Sequence, residues 1–218
     1  MAMRRSPRVF AQGKPYMNLF EKATIINYHR HRIEIFAEGT AGALGWRRVE
    51  SQIKRFEVIA DVGDLSGRTL LDVGCGYGDL KEFLDQRFSG FTYIGIDQMP
   101  EFIAEAKARY ASHPNTYFPQ TDFTKADFPT VDYVIASGAL VYRCDDPDFY
   151  ADMIRKMYQA ATQAFVFNML DASRFPDHPL LVGHDRDKIA ALCRTLSPRV
   201  TVAKDYLEDD FTVFMFRE

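Results

Sequence analysis

The stretch that most constrains this chain is Leu70-Leu71-Asp72-Val73-Gly74-Cys75-Gly76-Tyr77-Gly78-Asp79-Leu80. An apolar run of strand type enters a turn with three alternate glycines. It leaves on a helical period, with Leu80, Phe83, Leu84 and Phe88 on one face. Glycines at such a turn let the backbone approach a ligand, and the start of the helix offers unpaired N–H groups. The pyrophosphate-binding fingerprint of this geometry is G-x-G-x-x-G. Gly74 and Gly76 satisfy it, but the third position is Asp79, whose carboxylate would repel a pyrophosphate. The spacing is instead D-x-G-x-G-x-G.

Downstream, strand-like and helix-like segments alternate. Residues Thr69–Val73, Thr92–Ile96, Thr116–Phe118, Val131–Ala136, Ala164–Met169, Arg199–Ala203 and Phe211–Phe216 read as strands. Phe102, Ile103, Ala106 and Tyr110 recur at helical spacing, as do Phe149, Met153, Met157 and Ala160. The pattern predicts an α/β three-layer sandwich with a mostly parallel sheet. The turn from Asp205 to Asp210 is too short for a parallel crossover, so the last strand is expected to be antiparallel. Phe83, Phe88, Phe165 and Phe214 sit at core periodicity, which assigns most aromatics to packing.

The first 64 residues differ in pattern and are expected to form an N-terminal helical cap on a core spanning residues 65–218. Trp46, Val49, Ile53, Phe56 and Ala60 trace an apolar helical stripe, with Arg48, Gln52 and Arg55 on the adjacent face. Tyr16 to Phe36 reads as a further helix. Met1 to Pro15 contains four basic residues and no acid, and is expected to be a solvated tail.

Composition narrows the function classes. With 27 basic and 30 acidic residues the net charge is −3, which argues against general affinity for nucleic acid phosphate. The three scattered cysteines (Cys75, Cys144 and Cys193) form no CxxC pair, as expected of reduced thiols in a cytoplasmic protein. No apolar run reaches membrane-spanning length.

The second strand runs into Asp97-Gln98-Met99, with Asp97 nineteen residues beyond Gly78. An acid there can accept both ribose hydroxyls of a nucleoside lying across the strand ends. After the third strand, Asp122 could accept an exocyclic amine of adenine, with Met99 and Phe123 suited to sandwich the base. The fourth strand ends in Ser137-Gly138, small residues at the carboxyl edge.

This series, from about Leu65 to Phe216, resembles the class I S-adenosylmethionine-dependent methyltransferases, including their reversed seventh strand. The resemblance implies S-adenosyl-L-methionine as cofactor and a seven-stranded sheet ordered 3-2-1-4-5-7-6. It assigns Gly74, Gly76 and the Cys75 backbone to the methionine end, and Asp72 to the loop and the cofactor ammonium. Asp97 would serve the ribose and Asp122 the adenine, with Gln98, Met99, Phe123 and Ser137 completing the pocket. A cofactor with a sulfonium and an ammonium but no phosphate is compatible with Asp79. Its carboxylate needs a donor, for which Arg55 or Gln52 is the candidate.

Methyl transfer needs alignment, and a base only for a poorly ionised acceptor. Ala136-Ser137-Gly138-Ala139-Leu140 replaces the Asn/Asp-Pro-Pro-Tyr/Phe run of base-amine methyltransferases, so the expected partner is a small-molecule acceptor methylated on O or N. Candidate catalytic residues are His29, Tyr142 and His178, with Tyr28, His31 and His184 beside them. His29 and His31, two residues apart, lie on different helix faces, and no metal site is expected. The alternatives are sulfonium chemistry releasing methylthioadenosine, a non-catalytic cofactor-binding protein, and a nucleic-acid methyltransferase.

Overall fold

The computed structural model describes residues 17–218; the expectation for Met1 to Pro15 lies outside them. The chain opens with α1 (Leu19–Phe36). Its N-terminus is closed by a reciprocal box in which Asn18 Oδ1 accepts from Glu21 N at 2.9 Å and Glu21 Oε2 from Asn18 N at 2.7 Å. Then follow α2 (Val49–Ala60), β1 (Thr69–Val73), α3 (Asp79–Asp85), β2 (Thr92–Ile96) and α4 (Pro100–Arg109), which begins on a proline. The rest of the chain forms β3 (Thr116–Tyr117), β4 (Val131–Ala136), α5 (Phe149–Ala160), β5 (Ala161–Asp171), β6 (Gly183–His184), α6 (Arg186–Leu196), β7 (Arg199–Lys204) and β8 (Asp210–Phe216).

The sheet order is β3-β2-β1-β4-β5-β8-β7, with β6 pairing β5 off this path. Strands β1 to β6 pair in parallel; β8 is antiparallel to both β5 and β7. The expected seven-strand path and reversed last strand are present. The sequence pattern gave no sign of β6, which is two residues long. Beyond the end of β4 it pairs with β5 at Leu170 and Asp171. β5 is longer than its apolar run and β3 is a residue shorter than expected.

Alternation along the strands produces two cores. Leu71, Val73, Val134, Phe165 and Phe167 face α5 and α6; Leu70, Tyr93, Ile135, Ala164 and Val166 face α2, α3 and α4. The expected cap therefore divides. Phe56, Ile59 and Ala60 of α2 belong to a sheet-face core, whereas α1 and the 37–48 segment reach over the strand ends.

The inward face of α2 corrects the expectation from its apolar stripe. Val49 and Ile53 are 53% and 41% exposed, whereas Gln52 and Arg55 are buried. The polar stripe is turned inward because each of these side chains finds an acid, half-buried Asp79 or buried Asp210. Gln52 Nε2 donates to Asp79 at 2.9 Å, and Arg55 clasps Asp210.

Candidate functional site

Chain order reverses direction between β1 and β4, and α/β sheets leave a crevice at the carboxyl ends of the strands at such a point. A cavity of about 550 Å³ lies there. It is lined by the glycine turn, the ends of β2 and β4, the inward face of α2 and part of α1.

The turn is shaped for close approach. Gly76 has φ 55°, a left-handed conformation that favours glycine, and a Cβ there would press on Leu44 Cδ2 at 2.6 Å. The Gly74 and Cys75 amides donate to the Ile96 carbonyl at 2.8 and 3.1 Å, fixing the turn to the end of β2. Asp97 follows directly. Gly76 N donates to its Oδ2 at 3.1 Å and Met99 N to its Oδ1 at 2.9 Å, so the carboxylate is held from two sides. Burial pushes its pKa up to about 6 against these backbone donors. Asp72, 2% exposed, accepts from the Tyr93 hydroxyl. Burial raises it to about 7, opposed by that hydrogen bond and assisted by the charge of Asp97.

At the opposite wall, Gly138 has φ 74°, and a Cβ there would lie 2.8 Å from Trp46 Cη2. The Gly138 amide donates to Asn168 Oδ1 at 2.8 Å, and Asn168 Nδ2 donates to Asp210 at 3.1 Å. Asp210 takes Arg55 through Nε at 2.8 Å and Nη2 at 2.7 Å. The same guanidinium lies 4.8 Å from the Trp46 ring centroid. Arg55 thus joins α2, β5, β8 and the loop after β4. Its fork is engaged by Asp210, a pairing that the sequence gave no reason to expect.

Of the candidates, Asp72, Gly74, Cys75, Gly76, Asp97, Gln98, Met99, Phe123, Ser137 and Arg55 all line the cavity, as do His29, Tyr142 and His178. Asp122 is not among its lining residues. Lys22, buried on α1, donates to its Oδ2 at 2.7 Å, and Thr124 N and Oγ1 donate to Oδ1 at 3.0 and 2.6 Å. Burial raises its pKa, but these partners outweigh that and hold it below the ordinary carboxylate range. A buried ammonium needs an anion, and Asp122 is the one within reach.

The histidines separate in role. His29 is 5% exposed; its Nδ1 lies 3.3 Å from the Ala43 carbonyl and its Nε2 2.6 Å from the Tyr142 hydroxyl. A carbonyl only accepts, so Nδ1 bears the proton and Nε2 receives the Tyr142 hydrogen. Burial pulls the ring down to about 4, so it is neutral near pH 7, and burial raises Tyr142 above an ordinary phenol. His178 Nδ1 instead accepts the Leu180 and Leu181 amides at 3.2 and 3.0 Å, capping a turn with one nitrogen. His31 is exposed beside Glu34, and His184 packs on Tyr150 outside the lining.

Sequence reasoning passed over Lys22, Arg32, Asn168 and Phe175. Asn168 has no detectable signal, since it interrupts an apolar strand run as a core polar residue would. Arg32 had one, lying a helical turn from His29.

The donor set fits S-adenosylmethionine. Acids surround the glycine turn where a pyrophosphate cofactor would need the opposite charge, and Ser137 Oγ, buried on the cavity wall, has no hydrogen-bond partner among the described residues. Fold and site together define a nucleoside-binding α/β transferase. Residues 70–163 match the family described as a methyltransferase domain. A Mycobacterium tuberculosis protein named as a methyltransferase is 32% identical over 154 residues, covering 66% of this chain and 90% of that one. A trans-aconitate 2-methyltransferase of Acidovorax sp. is 30% identical over 141 residues, covering 62% of this chain, which spans 52% of that relative's length. The magnesium protoporphyrin IX methyltransferase of Synechocystis, solved with S-adenosylmethionine bound, superposes with a TM-score of 0.68 at 20% identity. That match covers 92% of this chain and 99% of that one. The chain belongs to the class I S-adenosylmethionine-dependent methyltransferases. No helix among the described residues is long and apolar enough to cross a membrane.

Proposed function

We propose that the protein methylates an oxygen or nitrogen atom of a small molecule in the cavity where α1 and Trp46 meet the strand ends. The observation that carries this reading is the hydrogen-bonded pair His29–Tyr142, on the wall of the same cavity as the glycine turn and Asp97. S-adenosylmethionine, when bound, supplies a methyl carbon activated by positive sulfur. Asp97 holds the ribose hydroxyls, Asp72 and the turn backbone the amino-acid end, and Met99 and Phe123 the base. Ser137 offers its free hydroxyl to the same ligand. Lys22 neutralises Asp122, so adenine is held by stacking and backbone rather than by that carboxylate. Tyr142 receives the proton of the acceptor on its oxygen as its own proton passes to His29 Nε2, whose lone pair burial keeps free. Residues 17–64, the described part of the cap, supply much of the acceptor wall; the name of the trans-aconitate relative, a small acid, supports an acceptor of that size.

Calorimetric titration with S-adenosylhomocysteine tests the cofactor assignment. Saturable binding that Asp97→Ala weakens at least about tenfold is expected, one lost charge-assisted contact being about 1.5–3 kcal/mol. NADH binding in its place would overturn it. Incubation with S-adenosylmethionine and a panel of small acceptors should release S-adenosylhomocysteine; methylthioadenosine as the product would show sulfonium chemistry of another kind.

A further inference from the structure

Arg32 lies on α1 one turn beyond His29, half-buried and lining the same cavity. Its Nε donates to the Gly42 carbonyl at 2.6 Å. Its guanidinium carbon stands 5.5 Å from the Tyr28 ring centroid and 4.5 Å from that of Phe36. A guanidinium tied at one edge to a carbonyl and set against two rings is oriented before any ligand arrives. Its two terminal nitrogens have no hydrogen-bond partner among the described residues, and no carboxylate pairs with it. The other buried or half-buried arginines of this region differ. Arg55 is filled by Asp210, and Arg109 by Asp79 and Glu105.

The surroundings favour an anion. Arg47 and Arg48 line the cavity from exposed positions and make no ion pair with any described residue. His29 and Tyr142, the titratable neighbours on the acceptor wall, are uncharged at neutral pH, and Tyr28 is a phenol. The acids of the lining stand on other elements: Asp72 on β1, Asp79 at the start of α3, Asp97 after β2, Glu208 and Asp209 on the turn before β8, and Asp210 at the start of β8, where Arg55 already pairs with it.

We propose that Arg32 is the centre of an oxyanion subsite, and that the methyl acceptor is an anionic small molecule whose carboxylate or phosphate is held by its open fork. The proposal rests on the methyltransferase reading and adds the acceptor's charge to it. A planar fork meets two oxygens of one anion at once, so Arg32 sets the orientation of the acceptor as well as its affinity. Arg47 and Arg48 raise the local concentration of anions at the mouth.

The test uses the full chain saturated with S-adenosylhomocysteine, read by calorimetry and by the fluorescence of Trp46, the single tryptophan, which lines the cavity. Trans-aconitate, its uncharged trimethyl ester and inorganic phosphate are titrated in turn. Saturable binding of trans-aconitate, phosphate or both is expected, with the ester at least tenfold weaker than the acid. The stronger of the two anions identifies the acceptor's anionic group as carboxylate or phosphate. Arg32→Gln is expected to weaken anion binding at least tenfold and Arg32→Lys to restore part of it, with affinity for S-adenosylhomocysteine within twofold of the original. Three results would overturn the proposal while leaving the methyltransferase reading intact. They are equal binding of acid and ester, undiminished anion binding in Arg32→Gln, and binding of S-adenosylhomocysteine without binding of either anion. The acid–ester comparison needs no variant and so decides the matter even where Arg32→Gln fails to fold. Failure of the original protein to bind S-adenosylhomocysteine removes the methyltransferase reading, and this proposal with it.

Discussion

The Tyr142 hydroxyl and His29 Nε2 lie 2.6 Å apart, joining α1 to the segment that leaves β4. Tyr142 is itself anchored: Val141 and Arg143 pair with Val182 and Leu180, and the Tyr142 carbonyl accepts the Tyr150 hydroxyl at 2.6 Å. The contact thus connects a cap helix to a braced loop, with the ring proton of His29 directed at a backbone carbonyl. Tyr142→Phe and His29→Gln should each lower kcat by about 100-fold, the ordinary scale of a lost proton acceptor. S-adenosylhomocysteine affinity should stay within twofold; an equal loss of both would make the pair structural rather than catalytic.

Cofactor affinity should rise with pH. Asp97 and Asp72 are raised to about 6 and about 7 by burial, so the free protein retains protons that an ionised pair would lack. A ligand that hydrogen-bonds to the ionised forms expels those protons on binding. Calorimetry of S-adenosylhomocysteine at about pH 6, in two buffers of different ionisation enthalpy, should show net proton release. Asp97→Asn should diminish it.

Stability should carry the signature of the buried histidines. His29 and His184 titrate at about 4 in the folded chain, below their ordinary 6.5, because burial disfavours the charged ring. The unfolded chain therefore takes up more protons between those values, and stability falls as pH drops from about 6.5 to about 4. Asp97 and Asp72, raised on folding, act with the reverse sign, losing their contribution as pH rises through their folded values. In His29→Gln the fall in Tm between about pH 7 and about pH 5 should shrink.

Arg55→Met should cost about 3–5 kcal/mol, since it leaves Asp210 buried without its cation. At about 2–4 °C per kcal/mol for a chain of this size, the thermal midpoint should drop by roughly 6–20 °C. Replacing both partners, Arg55→Met with Asp210→Leu, should recover part of the loss.

Gly138→Ala should displace Trp46. The backbone there is left-handed, and the added methyl would lie 2.8 Å from the indole. A stability loss of about 1–3 kcal/mol is expected, with a shifted Trp46 emission maximum before any ligand is added.

Strand-forming runs were legible because parallel strands covered on both faces must be apolar, and Thr69–Val73 and Val131–Ala136 show it directly. The turn was legible because positions of left-handed φ select glycine. The α2 helix misled for a related reason. Its periodicity reports which side chains are apolar, and Val49 and Ile53 are apolar yet exposed. Gln52 and Arg55 are buried because Asp79 and Asp210 meet them from α3 and β8. The partners stand 27 and 155 residues away along the chain, so no local pattern could indicate them. The same holds for Asp122, whose partner Lys22 stands 100 residues upstream.

The sequence by itself determined the architecture, the turn and the position of Asp97, all of which follow from local chemistry: glycine φ, strand and helix period, and an acid at a strand end. Tertiary structure alone decided which charges remain available to a ligand. Arg55 and Arg32 look alike as arginines on cap helices, yet one meets Asp210 and the other meets Gly42, Tyr28 and Phe36. A buried charge must be neutralised by whatever the fold brings beside it, and that neighbour is set by contacts between segments distant along the chain.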